Sequence, residues 1–143
     1  MGWRTVSRNF ARIEKDLALI RKAFKVDVEG NYERVIVRKF PLPSNWSRRN
    51  SDLLLVLPED FPLRPPLFYL EKSLKLKFPD GSFGYFHSFN SGYPLWREGW
   101  GWLCSESEGW KGGWDPARDG LMSFLQKVEV MLPTAVADRT SAD

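Results

Sequence analysis

The sequence predicts one α+β domain: an N-terminal helix, a four-stranded antiparallel meander, a long glycine- and tryptophan-rich loop and a C-terminal helix. Three observations lead there: a helical apolar stripe near the start, short apolar runs separated by Gly and Pro, and a second helical stripe after Asp115-Pro116. The 143 residues suffice for a single hydrophobic core. The domain is placed at residues 1–133, with a small, polar tail at 134–143 expected to be disordered.

Val6, Phe10, Ile13, Leu17, Ile20 and Phe24 recur at spacings of four and three, one face of an amphipathic helix that Ser7 or Asn9 can cap. Arg8, Arg12, Lys15, Arg21 and Lys22 lie on the opposite face, which is expected to be basic and solvated. Val26-Asp27-Val28 and Tyr32 to Phe40 form a hairpin around Glu29-Gly30-Asn31. After the break at Pro41-Leu42-Pro43-Ser44, Asp52 to Leu57 is a continuous apolar run, as in a central strand buried on both faces. Leu67 to Leu70, with Leu74 to Phe78, is a further strand that ends at Pro79-Asp80-Gly81.

From Gly81 to Gly113 no period is sustained, and glycines alternate with Trp96, Trp100, Trp102 and Trp110. A loop of this length in a small domain is often functional. Asp115-Pro116 is a helix-start signal, because Asp accepts bonds from free amides and Pro at the first position lacks only a dispensable donor. Leu121, Phe124, Leu125, Val128 and Leu132 then share a face, and Pro133 ends the helix.

The chain has one cysteine, Cys104, so no intrachain disulfide forms, which fits a reducing compartment. The N-terminal Met1-Gly2-Trp3-Arg4 runs into polar residues, and no stretch is long and apolar enough to span a bilayer. A soluble, cytoplasmic protein with no membrane association is expected. Residues 1–50 carry 12 Lys and Arg against 5 Asp and Glu, whereas residues 51–143 carry 9 against 13. A basic front half steers acidic partners. No nucleic-acid motif accompanies it, so nucleic acid is not the expected partner. One Cys and one His fall short of a zinc ligand set, and no metal or cofactor is expected.

A lone cysteine in a Gly-rich loop is either a nucleophile or a small apolar residue at the core edge. His87, the only histidine, is an acid, a base or a brace of its loop. Phe89-Asn90-Ser91-Gly92 has the composition of a simple turn, and the tryptophans have the area to act as loop anchors.

Three motifs narrow these choices. Leu57-Pro58-Glu59-Asp60-Phe61-Pro62-Leu63-Arg64-Pro65-Pro66 resembles the proline-rich connection of ubiquitin-conjugating (E2) enzymes, and Phe61-Pro62 is a candidate cis bond. Gly101-Trp102-Leu103-Cys104 is similar to the Gly-x-aliphatic-Cys of the E2 active site, and Trp114-Asp115-Pro116 to the Trp-x-Pro after it. The resemblance spans about Val6 to Leu132 and implies a UBC-like fold with Cys104 as the thioester-forming nucleophile. The family's His-Pro-Asn tripeptide has its nearest counterpart in His87-Ser88-Phe89-Asn90, with Asn90 fourteen residues upstream of Cys104. By the resemblance Asn90 stabilises the oxyanion, His87 assists, and Trp96, Trp100 and Trp102 pack over the bound tail. Glu106 and Glu108 lie close to the cysteine in sequence and, if close in space, would raise its pKa, as suits a thiol that receives an already activated acyl group.

The shortened C-terminal end and the Trp-rich insertion look like prokaryotic E2-like proteins, some of which accompany a cGAS-like nucleotidyltransferase in anti-phage (CBASS) operons. The implied partners are a ubiquitin-like protein or the C-terminus of such a nucleotidyltransferase, with an E1-like activating enzyme docking on the basic N-terminal helix. Two other functions fit the same residues: an inactive UBC- or RWD-like binding module, and a Trp-rich platform for single-stranded nucleic acid or sugars.

Overall fold

The computed structural model describes residues 8–91, 95–103 and 113–138. Helix α1 spans Phe10–Ile20 and is followed by strands β1 (Val26–Glu29), β2 (Arg34–Pro41), β3 (Asn50–Val56) and β4 (Leu67–Glu71). A small hairpin of β5 (Leu76–Lys77) and β6 (Phe83–Gly84), two 3-10 turns, β7 (Trp100–Leu103) and helix α2 (Leu121–Met131) complete the order. The main sheet is antiparallel with strand order β1-β2-β3-β4-β7. It therefore holds five strands rather than the expected four, because Trp100–Leu103, assigned to the loop, pairs with β4. Residues Leu74 to Phe78 do not extend β4; Leu76 and Lys77 form their own two-stranded sheet with Phe83 and Gly84.

The register sorts the side chains into two faces. Val35, Leu55, Phe68 and Leu103 stand opposite one another across β2, β3, β4 and β7, as do Val37, Leu53, Leu70 and Gly101. This inner face packs on Ile13, Leu17 and Ile20 of α1 and on Leu121, Phe124, Leu125 and Val128 of α2, forming the main core. Ile36, Leu54, Tyr69 and Trp102 form the corresponding row on the outer face, where Leu95 and Trp100 join them. Leu53, Leu54 and Leu55 are each 0 % exposed, so β3 is covered on both faces as its continuous apolar run predicts.

Asn9 caps α1 by accepting a bond from the Arg12 amide at 3.1 Å. The apolar stripe holds for Ile13, Leu17 and Ile20, but Phe10 sits at its margin, 39 % exposed, with its ring 5.3 Å from that of Tyr32. Val6 and Ser7 lie outside the described residues. The basic face is smaller than expected. The Arg8 guanidinium donates to the carbonyls of Leu57 and Pro58, both at 3.0 Å, and Arg12 donates to the Asp119 carbonyl. Lys15, Arg21 and Lys22 remain exposed.

Helix α2 starts later than Asp115-Pro116 suggests. Those residues form a turn in which the Asp119 amide bonds the Asp115 carbonyl, and the helix begins after Gly120, which has no side chain for a cap. The missing acceptor comes from α1. Asp16, only 6 % exposed, accepts the Leu121 amide at 3.1 Å and pairs with Arg12 at 3.4 Å. A side chain at residue 120 would collide with it, since a Cβ there would stand 2.7 Å from an Asp16 carboxylate oxygen.

The tail expected to be disordered from residue 134 is fastened as far as Asp138. Ala137 bridges to Phe86, the Asp138 amide bonds the Tyr85 carbonyl at 2.9 Å, and Ala135 is buried. The Asn45 side-chain amide donates to the carbonyls of Leu132 and Ala135, which ties this stretch to the connection between β2 and β3. No helix among the described residues is long and apolar enough to cross a membrane.

Candidate active site

Strand β7 leads to the cysteine. Trp100 and Trp102 point to the outer face and are half-buried against Tyr69, Leu54 and Leu95, while Leu103 is buried opposite Phe68 on the inner face. The two tryptophans thus anchor the strand. The Trp102 indole N–H is buried without a hydrogen-bond partner among the described residues. Cys104, with Glu106, Glu108 and Trp110, lies outside the described residues.

Gly101 has a steric reason. A Cβ there would stand 2.6–2.8 Å from three ring carbons of Phe89, so only glycine lets that ring lie against β7. Phe89 is 1 % exposed and is surrounded by the rings of Trp46, Tyr85 and Trp96 at 6.2, 6.2 and 6.4 Å. It belongs to the 3-10 turn Phe89–Ser91. The preceding residue, Ser88, is buried and donates its hydroxyl to the Trp102 carbonyl at 2.8 Å. Two contacts, one apolar and one polar, therefore fasten this turn to β7.

The same turn presents Asn90. Its side chain is exposed, and among the described residues its side-chain amide makes no hydrogen bond. His87 is exposed too, with its ring 4.3 Å from that of Phe86, the residue bridged to Ala137. The fold thus brings Asn90, fourteen residues from Cys104 in sequence, beside the strand that ends immediately before it.

Two motifs that are 52 residues apart also meet. The Trp114 indole donates to the Pro62 carbonyl at 2.7 Å, and its ring lies 6.1 Å from both Phe61 and Phe124. The Phe61-Pro62 bond is cis. Beyond Trp114, partial burial opposes ionisation of Asp119, but the Asp115 amide at 2.8 Å and the Ser123 hydroxyl outweigh it. With Lys127 and Arg118 nearby, the Asp119 carboxyl stays below its ordinary value. The return path after residue 112 is thus pinned to the proline-rich connection at one end and to α1, through Asp16 and Arg12, at the other.

Sequence reasoning missed Asp16, Ser88 and the role of Phe89. A polar residue within an otherwise apolar stripe was the available signal for Asp16, and Phe86-His87-Ser88-Phe89, with aromatics flanking two polar residues, was the signal for the turn.

An α+β domain with an N-terminal helix, an antiparallel five-stranded sheet and a C-terminal helix is consistent with an E2-like fold. Residues 14–135 match the model of prokaryotic E2 family E, and the chain belongs to this family. Membership points to an E2-like conjugating function, that of a transferase. No curated protein and no solved structure is significantly similar to the chain.

Proposed function

We propose that the protein is an E2-like conjugating enzyme that carries the C-terminal acyl group of a ubiquitin-like protein, or of another protein, on Cys104. The thiolate attacks the carbonyl carbon of an activated acyl donor; the C–S bond forms and the donor's leaving group departs. A substrate amine then attacks the thioester, the C–N bond forms, the C–S bond breaks, and the amine loses a proton to solvent. Negative charge develops on the carbonyl oxygen in that second step, and the Asn90 amide is the donor assigned to it.

One observation carries this reading: the turn that presents the exposed Asn90 side chain is tied to β7 by the Phe89–Gly101 contact and the Ser88–Trp102 hydrogen bond. Such a brace holds a donor at fixed distance from a strand end, as a preorganised oxyanion site requires. It also gives Gly101, within the cysteine motif, a purpose. The candidate carriers are a ubiquitin-like protein or the C-terminus of a cGAS-like nucleotidyltransferase in an anti-phage operon. An activating enzyme would meet α1 at Lys15, Arg21 and Lys22, the basic residues left exposed there.

Intact-mass spectrometry after incubation with a cognate activating enzyme, ATP and carrier tests the reading. An adduct of the carrier's mass less water is expected on the wild type and none on Cys104→Ala. Persistence of that adduct on Cys104→Ala would remove Cys104 from the mechanism.

A further inference from the structure

We propose that Lys72, Lys75, Tyr85 and Trp96 form a docking site for an acidic, Asp- or Glu-rich protein segment. Lys72 follows β4 and Lys75 precedes β5, joined by a turn in which the Leu74 amide bonds the Glu71 carbonyl. Both backbones are fixed: the Lys72 amide bonds the Gly99 carbonyl at 2.9 Å, and the Lys75 amide bonds the Ser47 hydroxyl at 2.9 Å.

Each ammonium rests on a ring. Lys72 Nζ lies 5.1 Å from the Trp96 centroid and Lys75 Nζ lies 5.5 Å from that of Tyr85. The two rings meet edge to face at 6.2 Å and both pack on buried Phe89, so the lysines share one rigid aromatic base. A lysine held by a cation–π contact has already lost much of the rotamer freedom that binding would otherwise remove.

Neither ammonium meets a carboxylate among the described residues. The carboxylate nearest in sequence, Glu71, is engaged by Arg48 at 3.2 Å and by the Asp52 amide at 2.7 Å. Two positive charges are therefore positioned and, among the described residues, left without a carboxylate partner. Each ring already carries an ammonium over its face, and the two rings meet edge to face rather than side by side, so they form no parallel platform for successive nucleobases. That favours peptide carboxylates over single-stranded nucleic acid.

Phe89 also supports the Asn90 turn, so a segment bound here would pass beside the candidate active site. Its role as part of an acyl donor or acceptor rests on the acyl-transfer reading; the binding itself does not, and is measured without activating enzyme. Fluorescence anisotropy of a fluorescein-labelled deca-glutamate peptide with the full chain is the test, alongside a labelled deca-thymidine. Peptide affinity is expected to fall with salt and about five- to tenfold in Lys72→Gln/Lys75→Gln, while Arg21→Gln/Lys22→Gln on α1, with the same charge removed, changes it less than about twofold. Trp96→Leu, which keeps both charges but removes one ring, should weaken binding about two- to threefold. Absence of peptide binding, equal losses in the two double variants, or tighter binding of the oligonucleotide would each overturn the proposal.

Discussion

The contact between Gly101 and Phe89 offers a sharp test of how the candidate site is held together. Gly101→Ala adds one methyl group at a strand position whose backbone suits any residue, and such a change alone would stabilise by about 0.4–1 kcal/mol through the unfolded chain. Here the new Cβ would stand 2.6–2.8 Å from the Phe89 ring, and that ring is enclosed by Trp46, Tyr85 and Trp96. The ring cannot swing aside, so β7 or the Phe89–Ser91 turn must move. Overpacking of this kind costs about 1–3 kcal/mol. At about 3 °C per kcal/mol for a chain of this size, Tm should fall by about 3–9 °C. Thermal unfolding followed by circular dichroism measures this. Phe89→Leu relieves the clash, so the double variant should lose less than the sum of the singles by about 1 kcal/mol. An unchanged or raised Tm in Gly101→Ala would refute the packing argument, and strictly additive losses would refute the pairing.

Three further outcomes follow from other contacts. Asp16→Ala strips a buried acceptor from the Leu121 amide and removes the ion pair with Arg12, and should cost about 2–4 kcal/mol in urea unfolding, whereas Asp16→Asn, which keeps an acceptor, should cost less. Trp114→Phe keeps a ring beside Phe61 and Phe124 but loses the bond to the Pro62 carbonyl, for a loss of about 1 kcal/mol in the same assay. The Asp119 carboxyl, held below the ordinary aspartate value, contributes stability that is complete above that ordinary value. As pH falls below it the unfolded chain takes up the proton first, so stability drops with acidification; Asp119→Asn should flatten this part of the pH–stability curve.

Much of the fold is legible in the order of residues. Ile13, Leu17 and Ile20 announce α1 by their spacing, and Leu53-Leu54-Leu55 announces a strand covered on both faces. Strand β7 is hidden because Trp100 and Trp102 cover an apolar outer face while Gly101 and Leu103 face the core, so no polar alternation marks it. Its glycine is explained only by a ring twelve positions earlier. The start of α2 was misplaced for a related reason: Asp115-Pro116 has the local chemistry of a helix start, but the acceptor for the first amides comes from Asp16, 105 residues away. Arg8 and Arg12 likewise look like solvent-facing charges until their carbonyl partners are known. At the candidate site the motif order was readable, whereas the juxtaposition of the Asn90 turn with β7 depends on tertiary packing.

The claim at the centre is that an acyl group rides on the sulfur of Cys104. Replacing that sulfur with oxygen tests it most directly: with activating enzyme, ATP and carrier, the wild-type adduct should disappear on treatment with dithiothreitol, while Cys104→Ser should retain an adduct of the same linkage stoichiometry that resists the thiol. An adduct equally resistant on both proteins would mean that the acyl group is attached elsewhere.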